Sequence, residues 1–137
     1  MKIFLDANII FSASKEDSLL GQFIKALRKQ KLVLVTNPYA VDEARRNIQI
    51  HFPERLSRLN SEIEKLEIVS KISIEPMLDE KYKVKEKDLP ILLGAIANNC
   101  DFLLTGDKRD FGHLFGKAIR GTVVVSPKLL AEKLKIN

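Results

Sequence analysis

The chain of 137 residues holds a single cysteine, Cys100. No intramolecular disulfide can form, so a reducing cytoplasm is the expected setting. Nowhere does the sequence reach the roughly 18 consecutive apolar residues of a membrane-spanning helix. The opening Met1-Lys2-Ile3-Phe4-Leu5-Asp6 carries neither the apolar core nor the small-residue cleavage site of a signal peptide. A Gly-rich phosphate loop and a nucleophile elbow are both missing. The two histidines, His51 and His113, have no metal-ligand spacing and read as surface or helix-end residues, and Cys100 reads as a packed thiol. No repeat, low-complexity tract or Gly/Ser linker divides the chain, which predicts one domain over residues 1–137. A chain of this length buries roughly two thirds of its unfolded surface.

What is present in excess is positive charge, +5 net at neutral pH. It gathers in Lys25, Arg28, Lys29 and Lys31, in Lys81, Lys83, Lys85 and Lys87, and in Lys108 and Arg109. Such clusters supply the non-specific electrostatic part of nucleic-acid binding, and they also occur on ordinary solvated surfaces.

Apolar patterning alternates between strand and helix. Residues 2–5 read as a buried strand, and Leu19, Leu20, Phe23, Ile24 and Leu27 mark a helix from about Ser18 to Gln30. Leu32 to Val35 is a β-branched run, after which Asn37-Pro38 supplies a helix cap and first turn. A further helical stretch starts at Pro53, and a third strand falls at either Glu67 to Val69 or Ile72 to Ile74. Asp88-Leu89-Pro90 opens a strongly apolar helix, Phe102 to Leu104 and Thr122 to Val125 are strands, and a last helix begins near Ser126-Pro127. This alternation predicts an α/β fold, a parallel sheet covered by helices on both faces.

Four acids stand out against that frame. Asp6 closes the first strand, and Asp107 follows Phe102-Leu103-Leu104 across Thr105 and Gly106. Ligands of open α/β sheets bind outside the carboxyl ends of the strands, where both acids fall. Asp6 also suits a turn, Asp107 a helix cap, and Asp88 a cap of the helix after it. Glu43 lies off the apolar stripe Val41-Ala44-Ile48 and is free to face a cleft or solvent. Asp110 either ligates or favours the positive end of its helix. Two carboxylates about 4 Å apart at an effective dielectric near 20 repel by about 4 kcal/mol, so convergence calls for a cation. Oxygen ligands without histidine or cysteine suit Mg²⁺ or Mn²⁺.

LDANI at the start, the glutamate within VDEARRNI, DLPILLGAI and LLTGDKRDF together resemble a PIN domain over nearly the whole chain. The resemblance implies a three-layer α/β/α fold around a parallel five-stranded sheet of order 3-2-1-4-5. It also implies a metal-dependent ribonuclease, with Asp6, Glu43, Asp88 and Asp107 as the catalytic and metal-binding acids; Asp110, three residues after Asp107, is a further candidate metal ligand by its position. Asn8 matches the polar residue of the first motif and Thr105 the hydroxyl of the last; Arg46, Lys108 and Arg109 are the expected substrate contacts. Many members of the family are toxins of the VapC-like group, so an antitoxin partner and a homodimer are expected with the RNA substrate. Ala7 departs from the threonine or serine common at that position, and the helical region from His51 to Leu66 is long for a compact toxin.

Three rival readings compete, the first two lacking a feature they require. A haloacid-dehalogenase-like phosphatase needs a second aspartate where Asn8 stands, and a response-regulator receiver needs a phosphoacceptor after the third strand. A catalytically silent PIN-fold module that binds RNA or protein remains compatible with the sequence.

Overall fold

The computed structural model describes residues 1–71 and 81–136. Its sheet has the order β3-β2-β1-β4-β6-β5, with β1 (Lys2–Leu5), β2 (Val33–Thr36), β3 (Glu67–Ile68), β4 (Phe102–Leu104), β5 (Ala118–Ile119) and β6 (Thr122–Val125). The first five in spatial order are parallel, so the expected 3-2-1-4-5 arrangement is present with β6 as its fifth member. Around them lie α1 (Ala7–Ala13), α2 (Leu19–Lys29), α3 (Pro38–His51), α4 (Leu56–Glu64), α5 (Leu89–Ala97), α6 (Lys108–Phe111) and α7 (Pro127–Leu134).

The central strand β1 is apolar on both faces because helices cover both. Ile3, Phe4 and Leu5 are buried, as are Leu103 and Leu104 of β4 and Val35 of β2. A strand covered on both faces shows a continuous apolar run rather than alternation. The cap expected at Asn37 forms, and Ser18 and Ser126, near which helices were expected to begin, cap theirs too, each side chain accepting from a backbone N–H in the first helical turn. Pro53–Arg55 is a 3-10 turn, and α4 proper begins at Leu56. Of the two positions expected for the third strand, Glu67–Ile68 pairs with β2, while Ile72 to Ile74 lies outside the described residues.

Two features depart from the expected pattern. The sheet carries a sixth, antiparallel strand, β5, joined to β6 through Arg120 (φ 52°) and Gly121 (φ 89°). Two successive left-handed residues make the tight hairpin turn whose twist matches the flanking strands. An arginine at the first of those positions gives no turn signal. The second feature is α1, which starts directly after β1. Its seven residues are too few, and too uniformly apolar, for a helical period to show.

Strand register joins distant parts of the chain. Leu5 pairs with Leu104, so the residues just beyond them, Asp6 and Thr105, lie side by side. Among the described residues no helix is long and apolar enough to cross a membrane.

Candidate metal centre

Asp6 leaves β1 with its backbone N–H on the Leu104 carbonyl (3.0 Å) and its Oδ1 accepting from the Ala7 N–H (2.7 Å). The carboxylate therefore caps α1 and, at 5% exposure, is also buried at the strand end. Its Oδ2 accepts from the Thr105 hydroxyl at 2.8 Å and from Asn8 Nδ2 at 3.2 Å. Thr105 Oγ1 in turn accepts from the Asp107 N–H at 3.1 Å and from Asn8 Nδ2 at 3.3 Å. One hydroxyl thus donates once and accepts twice, its full capacity. Asn8 Oδ1 closes the ring by accepting from the Gly106 N–H at 2.8 Å.

This network locks the β1–α1 turn to the β4–α6 turn. Asp107 sits in the second turn and caps α6, accepting from the Asp110 N–H at 3.0 Å. Asp107 makes the helix cap expected as its alternative role, and Asp6, whose expected alternative is a turn, makes a helix cap as well. These caps coexist with a place in a common cavity, because each acid uses only one oxygen on its cap.

Asp88 is different. It stands at the cap position of α5 but makes no capping bond, and its Oδ2 is buried without a hydrogen-bond partner among the described residues. Such an oxygen is costly to bury unless something else satisfies it. Two tethers hold it in place. Asn37 caps α3 and donates to the Pro90 carbonyl at 3.1 Å, and the Tyr39 hydroxyl donates to the Lys87 carbonyl at 2.8 Å. The start of α3 is thereby bound to the turn that carries Asp88, and α3 brings Glu43.

Asp6, Glu43, Asp88 and Asp107 all line one cavity of about 360 Å³. Within this group Asp88 and Asp107 come together with Asp110, each offering an oxygen within 4.8 Å of the others. Burial pushes the Asp6 carboxyl up to about 6, and the negative charges of Glu43 and Asp88 push the same way against the Thr105 hydroxyl and the Ala7 N–H. Burial likewise raises Asp88, with the Lys87 ammonium opposing it and Asp110 and Asp107 adding to the rise. Desolvation and like charge thus act together on two of the carboxylates, a pattern that concentrates at functional sites.

The charge is partly balanced from within. Lys85 Nζ and Lys87 Nζ each lie 2.8 Å from an oxygen of Asp110, and Lys87 Nζ is 3.4 Å from Asp88 Oδ1. The Lys85 ammonium, with that of Lys87, holds Asp110 well below the usual carboxylate range. A cation at the trio therefore competes with two ammonium groups for Asp110. Asp88, with an oxygen that no other described residue satisfies, fits a hard divalent cation, and the all-oxygen donor set matches Mg²⁺ or Mn²⁺.

Of the residues expected to contact substrate, Asn8 lines the cavity and Thr105 lies beneath it, fully buried. Arg46, Lys108 and Arg109 are not among its lining residues. The cavity instead takes Lys87, together with Phe11, Asn47 and His51, none of which stands out in the sequence as part of a site. Glu43, Asn47 and His51 are four residues apart on α3, the spacing of one helical face. That stripe was the available signal. Cys100 is a buried free thiol, as expected.

A PIN domain family model matches residues 2–109. Among solved structures, VapBC2 from Rickettsia felis, bound to a DNA fragment from its promoter, contains a chain similar to this one. Its TM-score is 0.67 at 18% identity, covering 92% of this chain and 98% of that one. VapBC-1 from nontypeable Haemophilus influenzae gives a TM-score of 0.61 at 16% identity, covering 93% and 99%. At these identities the likeness shows a shared fold. A search of curated proteins gives no match.

Proposed function

The chain belongs to the PIN domain family, whose members are generally nucleases, and from that premise we propose that it hydrolyses RNA phosphodiester bonds with the help of Mg²⁺ or Mn²⁺. The observation that carries the reading is the convergence of Asp6, Glu43, Asp88 and Asp107, from four separate segments, on one cavity at the strand ends. Asp88, Asp107 and Asp110, whose oxygens lie within 4.8 Å of one another, would hold the cation, with Asp6 and Glu43 of the same cavity completing its surroundings directly or through water. Bound there, such an ion lowers the pKa of its water and stabilises charge on phosphoryl oxygens.

The protein's own contribution is to prepare the oxygens. Thr105 and Asn8 fix the Asp6 carboxylate in one orientation and tie the Asp107 turn to it. Tyr39 and Asn37 hold the turn that presents Asp88. Lys87, on the cavity wall, offers an ammonium to a phosphate oxygen of the substrate. By family resemblance the products would carry a 5′-phosphate and a 3′-hydroxyl.

A toxin role beside an antitoxin, with a homodimeric toxin, is the biological setting we propose; the fold shared with chains of two VapBC complexes supports it. The test is Mn²⁺-dependent cleavage of single-stranded RNA by the wild type against Asp6→Asn and Asp107→Asn. Loss of at least about a hundredfold in both variants is expected, the scale of losing a main electrostatic contributor. Equal cleavage by the variants would sink the mechanism. Growth arrest on induction of the wild type, relieved by Asp6→Asn, would support the toxin role, and unaffected growth would count against it.

A further inference from the structure

Beyond the carboxylates the cavity has a second end, and its chemistry is unlike the first. Glu43, Asn47 and His51 line it along one face of α3. At 1.5 Å per residue His51 lies about 12 Å further along the helix axis than Glu43. That is too far for it to exchange a proton at a phosphate held by the acids, which requires hydrogen-bond contact. His51 belongs to a region that binds rather than reacts.

The region is built from flat groups. Phe11 lines the cavity beside His51, and the Phe52 ring lies 6.1 Å from Phe11 and 6.4 Å from His51, centroid to centroid. Arg55 places its guanidinium 4.1 Å from the Phe52 centroid and 5.1 Å from that of Phe11. Among the described residues its buried Nε has no hydrogen-bond partner and no carboxylate pairs with it. Ring faces, not an acid, hold this cation in place. Phe52 nonetheless stays 40% exposed.

We infer that Phe11, Asn47 and His51 form a subsite for an unpaired nucleobase of the strand whose phosphate lies at the carboxylates; the inference rests on the nuclease function proposed for this cavity. Bases stack on aromatic rings and guanidinium planes, and each base offers such a face whatever its identity. The Asn47 amide, with donors and an acceptor, can meet a base edge. A duplex keeps its bases stacked inside, so the subsite selects single strands.

The test uses a short single-stranded RNA with 2-aminopurine at successive positions, and matched RNAs abasic at those positions. They are titrated into full-length Asp6→Asn protein with and without His51→Ala or Phe11→Leu. Fluorescence quenching is expected at one or two positions, with binding weakened roughly 5- to 100-fold by either added substitution, the range of a lost stack. The abasic RNA should show a similar loss. His51 is exposed, so its replacement leaves the fold intact. Unchanged quenching and affinity in both added variants, or full affinity for the abasic RNA, would overturn the subsite. Cleavage by Asp6→Asn equal to wild type, with quenching intact, would instead remove the nuclease mechanism and leave the subsite standing.

Discussion

Lys87 Nζ lies 2.8 Å from Asp110 Oδ2, and the same ammonium reaches Asp88 Oδ1 at 3.4 Å. A cation of the protein's own thus stands among the carboxylates where a metal ion would be held. Its pKa is raised, chiefly by the Asp110 carboxylate, so it stays charged across the working range. Removing it changes the competition. Lys87→Gln is expected to tighten Mn²⁺ binding by about tenfold, measured by isothermal titration calorimetry. The side chain is 57% exposed, so solvent screening keeps the effect well below the ~4 kcal/mol of a close pair at dielectric 20. Equal or weaker binding would show that the ammonium and the metal do not compete.

Asp6 predicts how the metal-free protein responds to pH. Its folded pKa is raised from 3.8 to about 6 by burial. Between those values the folded state binds more protons than the unfolded one, so stability falls as pH rises through the window. Asp110 acts in the opposite sense. Its lowered pKa contributes stability above 3.8 that is lost as pH falls below it. Thermal melts without metal should therefore show higher stability near pH 5 than near pH 7.5. The Asp6 contribution is at most about 3 kcal/mol at 1.36 kcal/mol per pH unit. Asp6→Asn should flatten this dependence, and an unchanged slope in that variant would refute the assignment.

Saturating Mn²⁺ should reverse the trend. At a hundred times its dissociation constant a ligand stabilises by about 2.7 kcal/mol, and the cation binds the ionised acid. The metal-induced rise in Tm is expected to be large at pH 7.5 and small below pH 6, where Asp6 takes up a proton. A rise independent of pH would exclude Asp6 as a ligand.

Thr105→Val keeps the shape of the side chain and removes the hydroxyl shared by Asp6, Asn8 and Asp107. Thr105 is fully buried, and the stranded partners cost about 1–3 kcal/mol by denaturant unfolding. The Asp6 pKa should rise further, because the hydroxyl is the main group that lowers it. Carbon-detected NMR titration of the Asp6 carboxyl measures this directly, and a fall in its pKa would contradict the network.

Gly94 tests the tether between α3 and α5. A Cβ there would meet Asn37 Nδ2 at 2.7 Å and Phe4 at 3.4 Å. Asn37 cannot yield cheaply, being held by the Ala40 N–H and the Pro90 carbonyl. Gly94→Ala should therefore destabilise by about 1–3 kcal/mol, although alanine in a helix interior ordinarily gains up to about 1 kcal/mol over glycine. A stabilised variant would show that Asn37 is free to move.

The sequence by itself determined four of the strands, most of the helices and the cap at Asn37. Continuous apolar runs such as Ile3-Phe4-Leu5 require cover on both faces, and Asn37-Pro38 and Ser126-Pro127 announce helix starts through local backbone chemistry alone. It also determined that Asp6 and Asp107 end strands, where open α/β sheets bind ligands. Short elements escaped it, because the two residues of β5 and the seven of α1 hold too little periodicity to read. Only the tertiary structure decided which alternatives coexist: Asp6 and Asp107 cap helices with one oxygen and line the cavity, while Asp88 caps nothing. It decided too that Lys85 and Lys87 come to the acids, and that Phe11 and His51 share their cavity. Local sequence sets backbone conformation. Distances between groups far apart in the chain follow from strand register and helix packing, which bring the Thr105 hydroxyl to Asp6 across 99 positions.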